Sequence, residues 1–301
     1  MPAVGNPPGR LWPAQPAPVR PPRQCADSSP WDTPDTALRA QGVPGRAEHE
    51  KAYLKSELNH YGTSVPAIRS VAGAVAAQHP GLSHDDLVML VGALWGAPVH
   101  ERRLAAAGLL TVYRDRLRGE DIVLVERLLR ESRTWALAGP LAASVAGRLA
   151  ERHPEAGVAP GRWARDPGFW IRRAALLALL VPLRRGDGDF GRFARYADAL
   201  LDDREFFVRK AIGRVLRETA RKRPSLVYTW LLPRAGRASA VMVREAIKPL
   251  PEQQRMAVLA ARRNPGSPAT ASAGPGWFTA TRAACGSPGI RTAARAPPAV
   301  A

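Results

Sequence analysis

The stretch EFFVRKAIGRVLRETARKR, residues 205–223, carries two periodic patterns at once. Val208, Ala211, Ile212, Val215 and Leu216 fall at i, i+3, i+4, i+7 and i+8, the spacing that gathers apolar side chains on one face of an α-helix. Lys210, Arg214, Arg217 and Arg221 recur on a different side. One face is suited to a core, the other to water or to an anion. A stripe of four bases also occurs on ordinary solvated helices, so its neighbours matter.

Outward from this segment the helical period recurs in both directions. PAIRSVAGAVAA covers 66–77, and Ser83 followed by His84, Asp85 and Asp86 reads as an N-cap with acids in the first turn. Helices are expected over 98–117, 121–130, 132–152, 167–183, 190–200, 224–232, 239–250 and 252–263, with short joints marked by Gly, Pro or Asp. Strand-like alternation between hairpin turns is absent. Comparable helix pairs near 167–200, 205–232 and 239–263 repeat at intervals of roughly 35–40 residues. The expected fold is all-α, an α-solenoid of irregular HEAT-like helix pairs.

The ends differ from the middle. Residues 1–46 and 264–301 are rich in Pro, Ala, Gly and Ser, and the second holds Arg282, Arg291 and Arg295 with no acid. Both are expected to be disordered tails around a helical domain at 47–263. The chain carries 44 Lys and Arg against 26 Asp and Glu, a net charge of +18. Such an excess must face solvent or a polyanion, because unpaired charge is costly to bury. Between Pro160 and Ala260 there are 21 bases and 10 acids. Arg172 and Arg173 precede the stripe, and Arg237, Arg244 and Lys248 follow it. Stacked helix pairs would bring these onto one surface for the phosphates of nucleic acid.

Several chemistries lack their residues. There is no phosphate-binding GxxxxGK[ST] loop and no dinucleotide fingerprint. The six histidines form no ligand set by spacing, and His100-Glu101 reads as helix-surface polarity. No metal and no cofactor are expected. Cys25 and Cys285 sit in the tails and suggest no disulfide framework. The first residues lack the apolar run of a signal peptide, and no run reaches the roughly 18 apolar residues of a membrane span. A cytoplasmic protein, nucleoid-associated when bound to DNA, is expected.

Five segments together resemble the DNA alkylation repair family of AlkD type: LNHYGTSVPAIRSVA (58–72), LWGAPVHERRLAAAGLL (94–110), SRTWALAGPLAASVAGRLA (132–150), ARDPGFWIRRAALLALLV (164–181) and residues 202–233. The resemblance covers about 51–261, and its most specific motifs are FFxxKAIGxxLRE and FWxxRxAL. It implies a HEAT-like solenoid that holds duplex DNA in a concave cleft. It also implies a monofunctional glycosylase of base excision repair that releases cationic N3- and N7-alkylpurines without a metal. In that chemistry a carboxylate supports the developing sugar cation and a positioned water, and aromatic walls face the cationic base.

Carried over by residue, the resemblance places the family tryptophan at Trp135 and the family arginine at Arg173. The aspartate expected four residues after the tryptophan is Gly139, and no acid lies between Glu131 and Glu151. The second family tryptophan falls on Arg214, which would repel a cationic base and suit a phosphate. Asp202, Asp203 and Glu205 are the acids to inspect as replacements. The expected DNA contacts are Arg172, Arg173, Lys210, Arg214, Arg217, Arg221, Arg244 and Lys248, made by a monomer on the duplex backbone. A catalytically silent module for damaged or distorted duplex is the alternative. A helical scaffold for protein is the third reading, and acids neutralising the basic strip would favour it.

Overall fold

In the computed structural model the stripe becomes one helix, Phe206–Ala220, and every member of its apolar face is buried. Residues 33–264 are described. In chain order their α-helices are α1 (Thr33–Ala40), α2 (Pro44–Leu54), α3 (Val65–Gln78), α4 (His84–Gly96), α5 (His100–Val112), α6 (Ile122–Glu131), α7 (Trp135–Pro140) and α8 (Gly147–Arg152). Then follow α9 (Ala159–Trp163), α10 (Phe169–Leu177), α11 (Leu180–Arg185), α12 (Phe190–Ala199), α13 (Phe206–Ala220), α14 (Pro224–Leu231), α15 (Ala240–Ala246) and α16 (Glu252–Arg263). No strand occurs among the described residues, and none of their helices is long and apolar enough to cross a membrane.

The helices form two layers. In one, α1 packs on α3, α3 on α5, α5 on α7, α7 on α10, α10 on α13 and α13 on α15. In the other, α4 covers α5, α6 and α9 cover α10, and α14 covers α13. This is the expected HEAT-like stack. Its apolar contacts are local in the stack, each pair burying the face its neighbour cannot bury alone. Ser83 caps α4 by accepting the Asp86 amide at 3.1 Å, as its sequence position suggests.

The helical body starts earlier than the expected boundary at residue 46. α1 has an acid, Asp35, in its first turn and sends Leu38 into the core. Eight residues of mixed composition gave periodicity too little length to register. The expected tails otherwise lie outside the described residues. The helix expected over 132–152 begins late, at Trp135, after Arg133 takes a left-handed φ of 49°. It then widens into a π-helical stretch, Leu141–Ala146. Pro140 stands at the junction: it has no amide for the Ala136 carbonyl one turn back, and its ring crowds that carbonyl. The helix expected over 167–183 breaks between α10 and α11, where Pro182 leaves the Ala178 carbonyl without its helical donor. Gly147 approaches that carbonyl closely, and a Cβ there would collide with it.

Gly213 serves the α13–α15 contact in the same way. A Cβ on it would lie 2.9 Å from the Met242 carbonyl oxygen and 3.0 Å from Glu245 Cβ. Gly213→Val is therefore expected to destabilise the fold by about 2 kcal/mol, read as a lower urea midpoint at an unchanged m-value.

Candidate nucleic-acid interface

Arg172 and Arg173 are adjacent on α10, and a helical step of about 100° sends them to different environments. Arg172 donates to Asp203 at 2.7 Å and to the Asp166 and Pro167 carbonyls at 2.9 and 2.7 Å. It fastens α10 to the turn before α13, and these three bonds engage its guanidinium within the fold. Arg173 points the other way and is only 4% exposed. Its Nη1 donates to the Phe207 carbonyl at 2.7 Å, and its guanidinium lies 5.8 Å from the Phe207 ring centre. No carboxylate among the described residues pairs with it, and its Nε has no partner. Burial, helped by the charge of Arg214, pushes its pKa down to about 9.

Arg214 lies on α13, which packs against α10. It is half-buried, its Nε has no partner, and burial together with Arg217 pushes its pKa down to about 10. Lys210, one turn earlier, has its Nζ 5.5 Å from the Phe206 ring centre. Burial lowers its pKa, Glu245 opposes, and Arg173, Arg214 and Lys248 lower it further. Three cations from two stacked helices thus share one neighbourhood, close enough to destabilise one another's charge. None of the three has a carboxylate hydrogen-bonded to it among the described residues.

The other members of the stripe form a rim. Arg217 is held by Glu218 at 3.1 Å and by a short contact to Glu245, so its charge is largely answered inside the fold. Arg221 stands 3.6 Å from Glu218 and remains exposed; Lys248 pairs with Glu245 at 2.8 Å and is also exposed. Arg244 is exposed on α15. The acids Glu218 and Glu245 therefore offset part of the rim charge, most completely at Arg217, and hydrogen-bond to none of the three central cations.

Aromatic side chains border that centre. Phe169 and Trp170 open α10 with ring centres 4.6 Å apart, Trp170 meets Phe207 at 5.1 Å, and Phe207 meets Phe206 at 5.4 Å. Phe206 is 52% exposed, beside Lys210. The doublets FW and FF were visible in the sequence as motif letters; their joining across two helix starts was not.

Trp135 begins α7, half-buried, with its ring 6.1 Å from Tyr53 at 88°. Tyr53 lies on α2 and is 45% exposed. Gly139 is one turn further along α7 on the same side, and a Cβ there would meet nothing within 4 Å. Of the acids singled out as replacements, Asp202 pairs with Arg237. Asp203 holds Arg172 and the Glu205 amide, at 2.7 and 2.8 Å. Glu205 is exposed at the start of α13. An acid that spacing could not reveal, Glu57, pairs with Arg133 at 2.8 Å, two residues before Trp135.

His100 and Glu101 do not decorate a helix surface. Glu101 has no exposed area, and its carboxylate accepts the amides of Tyr61, Gly62 and Thr63 at 3.0, 2.7 and 3.3 Å. It ties the loop before α3 to the first turn of α5, where an anion also suits the helix dipole.

The family model for the DNA alkylation repair enzyme matches residues 35–250, from α1 to the end of the α15 region. No curated protein matches the chain significantly. Among solved structures, the predicted DNA alkylation repair enzyme from Enterococcus faecalis is similar with a TM-score of 0.64 and 20% identity, over 70% of this chain and 98% of that one. At that identity the likeness bears on the fold.

Proposed function

Since the chain belongs to the DNA alkylation repair enzyme family, we propose that it binds duplex DNA by the phosphate backbone, as a monomer, with alkylpurine excision much reduced. The observation that carries this reading is the trio Arg173, Lys210 and Arg214, gathered with no carboxylate hydrogen-bonded to any of them among the described residues, although Glu245 lies near Lys210 and Arg214 and Glu218 near Arg214. Burying a cation such as Arg173 without a counter-charge costs several kcal/mol in a finished fold. A phosphate supplies the missing charge, and a guanidinium fork matches its oxygens. Arg221, Arg244 and Lys248 extend the contact from the rim. A scaffold for protein would sit better on a neutralised strip, which describes Arg217 and not the centre.

The same trio argues against efficient excision of a cationic base. Arg214 occupies the position where the resemblance expects an aromatic wall, and Gly139 the position where it expects the carboxylate. Two assays on one preparation separate these claims. The chain should shift an undamaged duplex in a titration, while releasing 7-methylguanine from methylated duplex little faster than a protein-free control. Failure to bind duplex at low salt would overturn the proposal. Arg214→Ala should weaken duplex affinity about tenfold near physiological salt, uniformly across sequences.

A second reading, a slow alkylpurine glycosylase, is favoured by one arrangement. Tyr53 and Trp135 set two rings edge to face beside the position of Gly139, and a cationic base stacks well on such rings. In that reading Glu57 is the acid to test. Glu57→Gln should abolish any residual 7-methylguanine release and leave binding unchanged.

A further inference from the structure

The chain is strongly basic, yet one pair of carboxylates sits close together with no arginine or lysine paired to either among the described residues. Glu50 lies on α2 and is half-buried; Glu101 opens α5 and is fully buried. Between them stands His60, on the loop that follows α2. One ligand atom from each of Glu50, His60 and Glu101 lies within 4.8 Å of the other two. Both ring nitrogens of His60 are buried and have no hydrogen-bond partner. Its ring stacks on His100 at 4.6 Å and 7°, and His100, 4% exposed, also leaves Nδ1 without a partner.

Two buried ring nitrogens on a half-buried imidazole that neither donate nor accept are expensive, and so are two carboxylates in mutual repulsion. Both costs disappear if a cation lies between them. We propose that Glu50, His60 and Glu101 bind one divalent metal ion of the zinc and manganese class, with the remaining coordination positions left to water. Two carboxylate oxygens and one neutral imidazole nitrogen suit such an ion, and two negative charges balance it. The three amides on Glu101 act as an outer shell that fixes its carboxylate, as metal-binding carboxylates require. The ion would join α2, the 60–63 loop and α5, and so steady the helix that carries Tyr53.

The test uses the full-length chain stripped with a chelator and titrated calorimetrically with zinc, then with manganese. One saturable equivalent of zinc is expected, with a rise in melting temperature on loading. His60→Ala and Glu50→Gln should each weaken zinc binding by about a hundredfold or more, since each removes a ligand where an outer-shell loss alone costs about ten- to a hundredfold. Glu50→Gln preserves shape, and circular dichroism checks that both variants fold. His79→Ala, outside the cluster, should bind as the parent does. No saturable equivalent up to millimolar zinc would overturn the proposal, and so would equal binding by the parent and a folded Glu50→Gln.

Discussion

Gly139→Asp should raise 7-methylguanine release from methylated duplex by about a hundredfold over the parent chain. The size follows from the cost of removing one well-placed electrostatic group from a transition state, about two to three orders of magnitude, discounted for an aromatic wall that is still missing. Gly139 is buried, and the backbone there leaves room for the first atom of the side chain. A Cβ at Gly139 meets no atom within 4 Å, and the residue shares a side of α7 with Trp135. Helical preference slightly favours the change, because glycine is the poorer helix former. The chain should therefore fold, and its melting temperature is the control. Adding Arg214→Trp should raise the rate again, by removing a cation that opposes the positively charged base. A double variant that binds duplex and excises nothing above the protein-free rate would show that more than these two groups separates this cleft from catalysis.

Arg173→Met should move stability and binding in opposite directions. Arg173 spends one hydrogen bond on the Phe207 carbonyl and holds its charge at 4% exposure, beside Arg214, without an acid. Its depressed pKa means that the folded state disfavours the cation relative to the unfolded chain. At neutral pH, where the guanidinium is charged in both states, that difference is a destabilisation present throughout. Replacement by an apolar side chain of similar length should add about 1–3 kcal/mol to the unfolding free energy. Duplex affinity should fall by about tenfold or more at the same time, through loss of a charge-assisted phosphate contact. A structural arginine would behave in reverse: Arg172→Met should lower stability, because Asp203 would be left buried and without its partner. Urea denaturation of the two variants, side by side, distinguishes a residue kept for a ligand from one kept for the fold.

The two arginines also show where sequence reading ends. The stack of helices was legible because apolar spacing at 3.6 residues is a property of neighbours in the chain. α16 spans the residues the pattern gave, and the apolar face of α13 is the buried one. α1 and the π-helical stretch after Pro140 were not legible, one because it is short, the other because a proline changes hydrogen bonding without changing hydrophobic order. The positions of the candidate site were legible, but its partners were not. Motif letters located Trp135, Arg173, Gly139 and Arg214. They could not tell that Asp203 takes Arg172, that Glu218 and Glu245 take Arg217, or that Arg173 and Arg214 have no carboxylate hydrogen-bonded to them among the described residues. Glu218 is adjacent to Arg217, but Asp203 and Glu245 stand 31 and 28 residues from their arginines, which in a helical repeat means the next pair in the stack. Glu101 illustrates the same limit: its partners are amides some 40 residues earlier, in a loop.

The measurement that tests the central claim most directly is the salt dependence of duplex affinity for the parent chain and for Lys210→Ala/Arg214→Ala. If these side chains meet phosphates, the plot of log K against log salt is steep for the parent. Its slope should then drop by about two, one for each contact removed, alike on several unrelated sequences. A double variant whose slope equals the parent's, with affinity unchanged, would mean that Lys210 and Arg214 on α13 do not hold the DNA backbone.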